Sequence, residues 1–113
     1  PLFYKHSEPV AKKEYKCCEC SAPIPIGEKH FHCQAKWRFS DGIGTYRQHL
    51  DCMDACMMIR DMSDGECIPF GELFFEFEEM RWQYDRNGIA KHKEGWKPLR
   101  DLMARIKRRE RNS

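Results

Sequence analysis

Cys17-Cys18-Glu19-Cys20, then 28 residues, then His49-Leu50-Asp51-Cys52: this stretch decides how the rest of the 113-residue chain is read. Each end offers two donors with two residues between them, and two such pairs can converge on one tetrahedral zinc ion. Structural zinc sites commonly use three cysteines and one histidine. A Cys-x-x-Cys turn brings both thiolates to one side of a metal. A His-x-x-Cys pair entering a helix does the same, because residues three apart share a helical face. Cys56 lies seven residues after His49 and four after Cys52, so a Cys17, Cys20, Cys52, Cys56 quartet satisfies the same logic. Cys18 should point away from its neighbour's metal. Cys33 and Cys67 read as small buried hydrophobes.

The surroundings suit a metal better than disulfides. Seven cysteines is an odd number, and residues 1–10 (PLFYKHSEPV) contain no apolar signal-peptide core. An intracellular, reducing, cytoplasmic setting is the expectation, with clustered Cys and His ligating metal. No apolar run approaches the length of a membrane span. Hydrophobic content of 41% and charged content of 34% fit one globular domain over residues 1–113 with a modest core. Net charge is only +2, but it is bipolar. Asp61 to Asp85 holds eight acidic residues against Arg81, and Lys97 to Arg111 holds seven basic residues against Asp101 and Glu110.

Taken in order, residues 1–16 are polar and broken by Pro9, and read as an irregular arm whose aromatic end packs onto the domain. Residues 17–61 form the metal-binding unit. Pro23 and Pro25 restrict the chain after the first pair to extended or edge structure. Phe31, Cys33 and Ala35 alternate with His30, His32 and Gln34, which predicts a half-buried strand; the two histidines fall on its polar side. Asp41-Gly42 predicts a turn, with Thr45 to Gln48 returning as the second strand. From about Leu50 to Asp61, Met53, Cys56, Met57 and Arg60 share one helical face. Thr45-x-x-Gln48 offers a competing, earlier capping box, but the hairpin needs its second strand. Residues 70–109 form the helical part. Leu73, Phe77, Met80 and Tyr84 predict a helix over 71–86 that Asn87-Gly88 ends, with an alternating strand reading beside it. Lys91 to Gly95 reads as a linker, and Pro98 as the first residue of a last helix with Leu99, Leu102, Met103 and Ile106 inward. Residues 110–113 should fray. The fold class is therefore α+β: a small zinc-stapled β-hairpin plus helix, treble-clef-like in outline, followed by two α-helices.

The spacing Cys17-x2-Cys20-x28-His49-x2-Cys52 resembles that of the zinc fingers of poly-ADP-ribose polymerases, which bind DNA strand breaks. Ala22-Pro23-Ile24-Pro25-Ile26-Gly27-Glu28, Trp37 and Tyr46 add to the likeness, which covers about residues 15–60. It implies Cys17, Cys20, His49 and Cys52 as ligands of one structural Zn2+. Counterparts of that family's break-binding surface and polymerase domain are not found here. In general outline the chain is similar to small stand-alone treble-clef proteins of the kind that bacteria and their phages encode.

A four-ligand, cysteine-rich site leaves no position open for water, so its zinc is structural rather than catalytic. Treble clefs that cleave nucleic acid need a catalytic histidine, and His49 is committed to metal. The expectation is a non-catalytic protein without a small-molecule substrate or a membrane. One reading is a nucleic-acid-associated accessory or regulatory factor, with Arg100, Arg105, Lys107, Arg108 and Arg109 meeting phosphates. The alternative is a protein-binding adaptor or inhibitor, or a homodimer, that uses the acidic, aromatic 70–86 segment.

Overall fold

The computed structural model describes residues 3–36, 44–86 and 93–113. In chain order these form β1 (Phe3–Ser7), β2 (Tyr15–Lys16), β3 (Pro23–Ile24), β4 (His30–Lys36), β5 (Gly44–His49), α1 (Leu50–Met62), α2 (Leu73–Arg81), a π-helical turn (Trp82–Arg86) and α3 (Lys93–Arg111). The α+β arrangement expected from the sequence is the one that forms. β4 and β5 pair antiparallel from His30↔His49 to Ala35↔Gly44, and the chain runs straight from β5 into α1. Asp41-Gly42, Trp37, Phe39, Asn87-Gly88 and the start of the expected linker at Lys91 lie outside the described residues.

The N-terminal segment is not an irregular arm. β1 pairs antiparallel with β4, Phe3↔Lys36 to Ser7↔His32, giving a three-stranded sheet in the order β1-β4-β5. The short run alternates well enough to do this: Tyr4 and His6 fall on the face of Cys33 and Ala35, and the His6 ring stacks on Phe31 at 5.6 Å. β2 and β3 form a separate two-stranded ribbon, with Tyr15 opposite Ile24 and Lys16 opposite Pro23. A strand of two residues at an edge is what the prolines permit.

Two apolar clusters divide the interior. The smaller lies under the sheet: Phe31, Cys33 and Ala35, with Tyr46, Leu50, Met53 and Phe70 against them. The larger joins the metal-binding turn to the helices through Cys17, Cys20, Ile24, Cys52, Ile59, Leu73, Phe77, Leu99, Met103 and Ile106. α1 is rotated from the expected face. Its buried residues are Cys52, Ala55, Cys56 and Ile59, while Met53 and Met57 are only half buried. Hydropathy pointed to the methionines, but Cys52 must face the other donors, and that fixes the helix about its axis.

α2 buries Leu73, Phe77 and Met80 at helical spacing, as expected, and leaves Phe75 and Trp82 61% and 53% exposed. The π-helical turn that follows carries Tyr84 and Asp85 to α3. Trp96 stacks between Phe77 (5.4 Å) and Tyr84 (5.1 Å), and its indole N–H donates to Asp85 Oδ1 at 2.8 Å. This packing explains why α3 begins at Lys93 and not at Pro98. Starting the helix earlier buries Trp96 beside Leu99, at the cost of one helical hydrogen bond to the carbonyl of exposed Glu94. Cys67 is exposed, not buried, and α3 continues to Arg111, past the expected start of the frayed tail. Among the described residues no helix is long and apolar enough to cross a membrane.

Candidate metal centre

The first donor pair is set by the β2–β3 ribbon. Cys17 N–H donates to Ala22 O (3.1 Å) and Ser21 N–H to Cys17 O (3.1 Å), closing a turn in which Ser21 takes a left-handed φ of 64°. Cys18 N–H donates to Arg47 O (2.9 Å), which fastens the turn to β5. The second pair sits where β5 becomes α1: His49 is the last strand residue and Cys52 lies in the first helical turn.

These elements bring one ligand atom each of Cys17, Cys20, His49 and Cys52 within 4.8 Å of one another, all four residues buried. Zinc–sulfur bonds of about 2.3 Å place neighbouring tetrahedral sulfurs about 3.8 Å apart, so the cluster is on the scale of one zinc ion. The histidine geometry agrees. Nε2 lies 3.0 Å from Pro23 O, to which it donates its proton, while Nδ1 lies 3.3 Å from Cys20 Sγ and keeps its lone pair for a metal. A backbone carbonyl holding the non-ligating nitrogen is the usual way a ligating imidazole is oriented. The residues fit zinc, and the spacing anticipated from the sequence closes into a compact four-donor site. Cys56 stays outside it, held at 3.9 Å by Gln48 Nε2, and Cys18 turns to Glu19 Oε2 at 3.6 Å.

The clustered donors act strongly on one another. In the metal-free chain, hydrogen bonds from Cys17 and Cys52 pull the Cys20 thiol far below its ordinary range, while bonding to Cys17 and Cys20 pushes Cys52 far up. Burial disfavours a charged His49, but its bonds to the Cys17 and Cys20 sulfurs outweigh that and raise it to about 10. Zinc takes the place of those protons, so acid competes with metal. Cys56 is pushed up to about 12 by burial and by the Glu19 carboxylate, which keeps it a neutral thiol.

Two residues outside the donor set tie the centre to the helices. Glu19, inside the Cys-x-x-Cys turn and 7% exposed, accepts from Gln48 Nε2 (2.6 Å), Gly71 N–H (2.9 Å) and Leu73 N–H (3.0 Å). A carboxylate at the amino end of α2 meets its unpaired N–H groups and its dipole. Arg109, on α3, reaches Cys52 Sγ (3.2 Å), Cys20 Sγ (3.5 Å) and both carboxylate oxygens of Asp51 (2.7 and 2.9 Å). Neither link has a local signature. Glu19 looks like a turn residue, and Arg109 like one of several solvent-facing cations.

The five basic residues singled out on α3 do not form one open face. Arg100 lies 3.7 Å from Asp85, Arg105 3.8 Å from Asp51, Lys107 bonds Glu78, and Arg109 is occupied as described. Arg108 alone of the five is exposed without an acidic partner among the described residues. Comparison with protein-family models, with characterised proteins and with solved structures gives no match, so geometry alone carries the functional reading. What it gives directly is a small structural zinc-binding module whose four donors fill the metal's coordination.

Proposed function

We propose that this protein is a nucleic-acid-associated accessory factor that meets a phosphate backbone with the outer face of its three-stranded sheet. One observation supports the reading. The strand register places Lys5, Ser7, His32, Gln34, Lys36, Thr45 and Arg47 on the face opposite Phe31, Cys33 and Ala35, with no acidic residue among them. Among the described residues no carboxylate pairs with Lys5 or Lys36. Arg47 lies 3.7 Å over the Tyr15 ring and donates to His30 Nε2 at 2.7 Å, so the cation is held rigidly at the face. Burial first, and then the neighbouring Arg47, His30 and Lys5, lower the pKa of His32.

Zinc does no chemistry in this reading. It fixes β5, and with it Arg47, against the turn that carries Cys18. Cationic side chains on a pleated face suit phosphates and give affinity that falls steeply with salt. The test is a gel shift with single-stranded, blunt and nicked DNA and with RNA, each at two salt concentrations. Binding that weakens with salt is expected, and no shift with any probe at low salt overturns the proposal.

A second reading rests on a separate observation. Phe75 and Trp82 are seven residues apart, both more than half exposed, and flanked by Glu72, Glu76 and Glu79. That stripe suits an adaptor recognising a basic, apolar segment of a protein partner. It gains if the gel shifts fail and Trp82→Ala abolishes a pulled-down complex.

A further inference from the structure

We propose that Arg109 is an outer-shell group of the zinc centre, one that offsets the excess charge of the thiolates and couples metal loading to the docking of α3. Three thiolates and a neutral imidazole around Zn2+ leave one negative charge in a buried place, which is costly unless it is answered. The guanidinium answers it. Its Nη2 lies 3.2 Å from Cys52 Sγ and 3.5 Å from Cys20 Sγ, and the same fork is gripped by Asp51 through Nη1–Oδ2 at 2.7 Å and Nη2–Oδ1 at 2.9 Å. Asp51 is in turn 3.8 Å from Arg105 Nε. Charges therefore alternate outward from the metal: zinc–thiolate cluster, Arg109, Asp51, Arg105. Side-chain exposures of 30% for Arg109 and 18% for Asp51 keep this row partly out of water, where hydrogen bonds between charged groups are strong.

The choice of arginine matters. A planar fork can address two carboxylate oxygens and two sulfurs at once, whereas a lysine ammonium is a single point of charge. The consequence reaches across the chain. Arg109 lies in the last turns of α3, 57 residues after Cys52, so the helix finds its full seat only when the sulfurs are gathered as thiolates. This inference stands independently of any nucleic-acid reading.

The test uses the full chain with Co2+ in place of zinc, and zinc itself in competition with a chromophoric chelator. In Arg109→Gln the sulfurs lose their hydrogen bonds and become more electron-rich. The sulfur-to-cobalt charge-transfer band moves to lower energy, and zinc affinity falls about 10- to 100-fold, the range seen when outer-shell partners are removed. A residue that merely stabilised the fold would not move the band. Arg109→Lys recovers part of the affinity by keeping the charge, and it supplies the measurement should the glutamine variant fail to fold. In the wild-type protein, removing zinc exposes the α3 amides to hydrogen exchange. An unmoved band with zinc affinity within twofold of wild type, or α3 protection that survives zinc removal, overturns the proposal.

Discussion

Two surfaces of this molecule carry positive charge and differ in what answers it. On α3, Lys97 meets Asp101 at 3.0 Å, Arg100 meets Asp85, Lys107 meets Glu78, and Arg105 and Arg109 both meet Asp51. Part of the chain's bipolarity is answered there: Glu78 and Asp85 of the acidic 61–85 segment and Asp51 of α1 face the basic helix, while Arg108 keeps no acidic partner among the described residues. On the outer face of the sheet, Lys5, Lys36 and Arg47 have no such partners among the described residues: the positions in register with them are Gln34 and Thr45 for Lys5, Phe3 for Lys36 and His32 for Arg47, none of them acidic. Basic content measured along the chain does not show which cations folding leaves without an acidic partner. Charge left unanswered after folding is what a partner can use.

The strongest way to break this comparison is to remove the metal that positions both surfaces. Cys52→Ser should lose zinc and unfold the helices as well as the hairpin. Apparent zinc binding in small domains is worth about 10–16 kcal/mol, as much as a domain's whole stability of about 5–15 kcal/mol. Circular dichroism reads this directly. Exposed Cys67→Ser should change stability by no more than about 0.5 kcal/mol.

Next in size is the test of the sheet itself. Lys5→Glu combined with Lys36→Glu should weaken nucleic-acid binding at least about tenfold at low salt. Each lost phosphate contact lowers the slope of log affinity against log salt by about 0.7 for single strands. Arg100→Glu should leave affinity unchanged in the same gel shift. The reverse outcome would return the interface to α3.

Glu19→Gln probes the link between metal turn and α2. The amide cannot accept from three donors as a carboxylate does, so a loss of about 2–3 kcal/mol is expected. Chemical denaturation of the zinc-loaded protein measures it.

The smallest effect concerns an exposed pair. A hydrogen bond from Lys107, opposed by slight burial, holds the Glu78 carboxyl below its usual range. A depressed acid contributes stability that is complete above its unfolded value of about 4.3 and fades as pH falls through the folded one. Glu78→Gln should flatten that part of the stability profile by less than about 1 kcal/mol, since half the side chain is in water.

Much of this architecture is legible in the residues, and the exceptions have physical causes. Local rules were sufficient where one element decides: the ligand spacing, the alternation of β4, the start of α1 at Leu50 and the stripe of α2. They failed where a distant contact overrides them. Pro98 is a good first helical residue, but Trp96 has Phe77 and Tyr84 to stack on, and the helix starts earlier. Met53 and Met57 make the more apolar face of α1, yet Cys52 turns the helix toward the donors. β1 is too short and polar to announce itself, and it forms because β4 offers an open edge. At the site, the four donors could be read, whereas Glu19 and Arg109 could not. Their partners lie 29 to 89 residues away, and only the folded chain shows which carboxylate and which guanidinium are used.

The central claim is that a closed Cys17, Cys20, His49, Cys52 zinc site holds the sheet and both later helices in one piece. Metal analysis of protein purified without added zinc, followed by chelation under hydrogen exchange, tests it most directly. The account predicts about one zinc per chain and loss of protection in β5, α2 and α3 together when it is removed. A folded chain without zinc, intact disulfides among these cysteines, or helices that stay protected after chelation would contradict it.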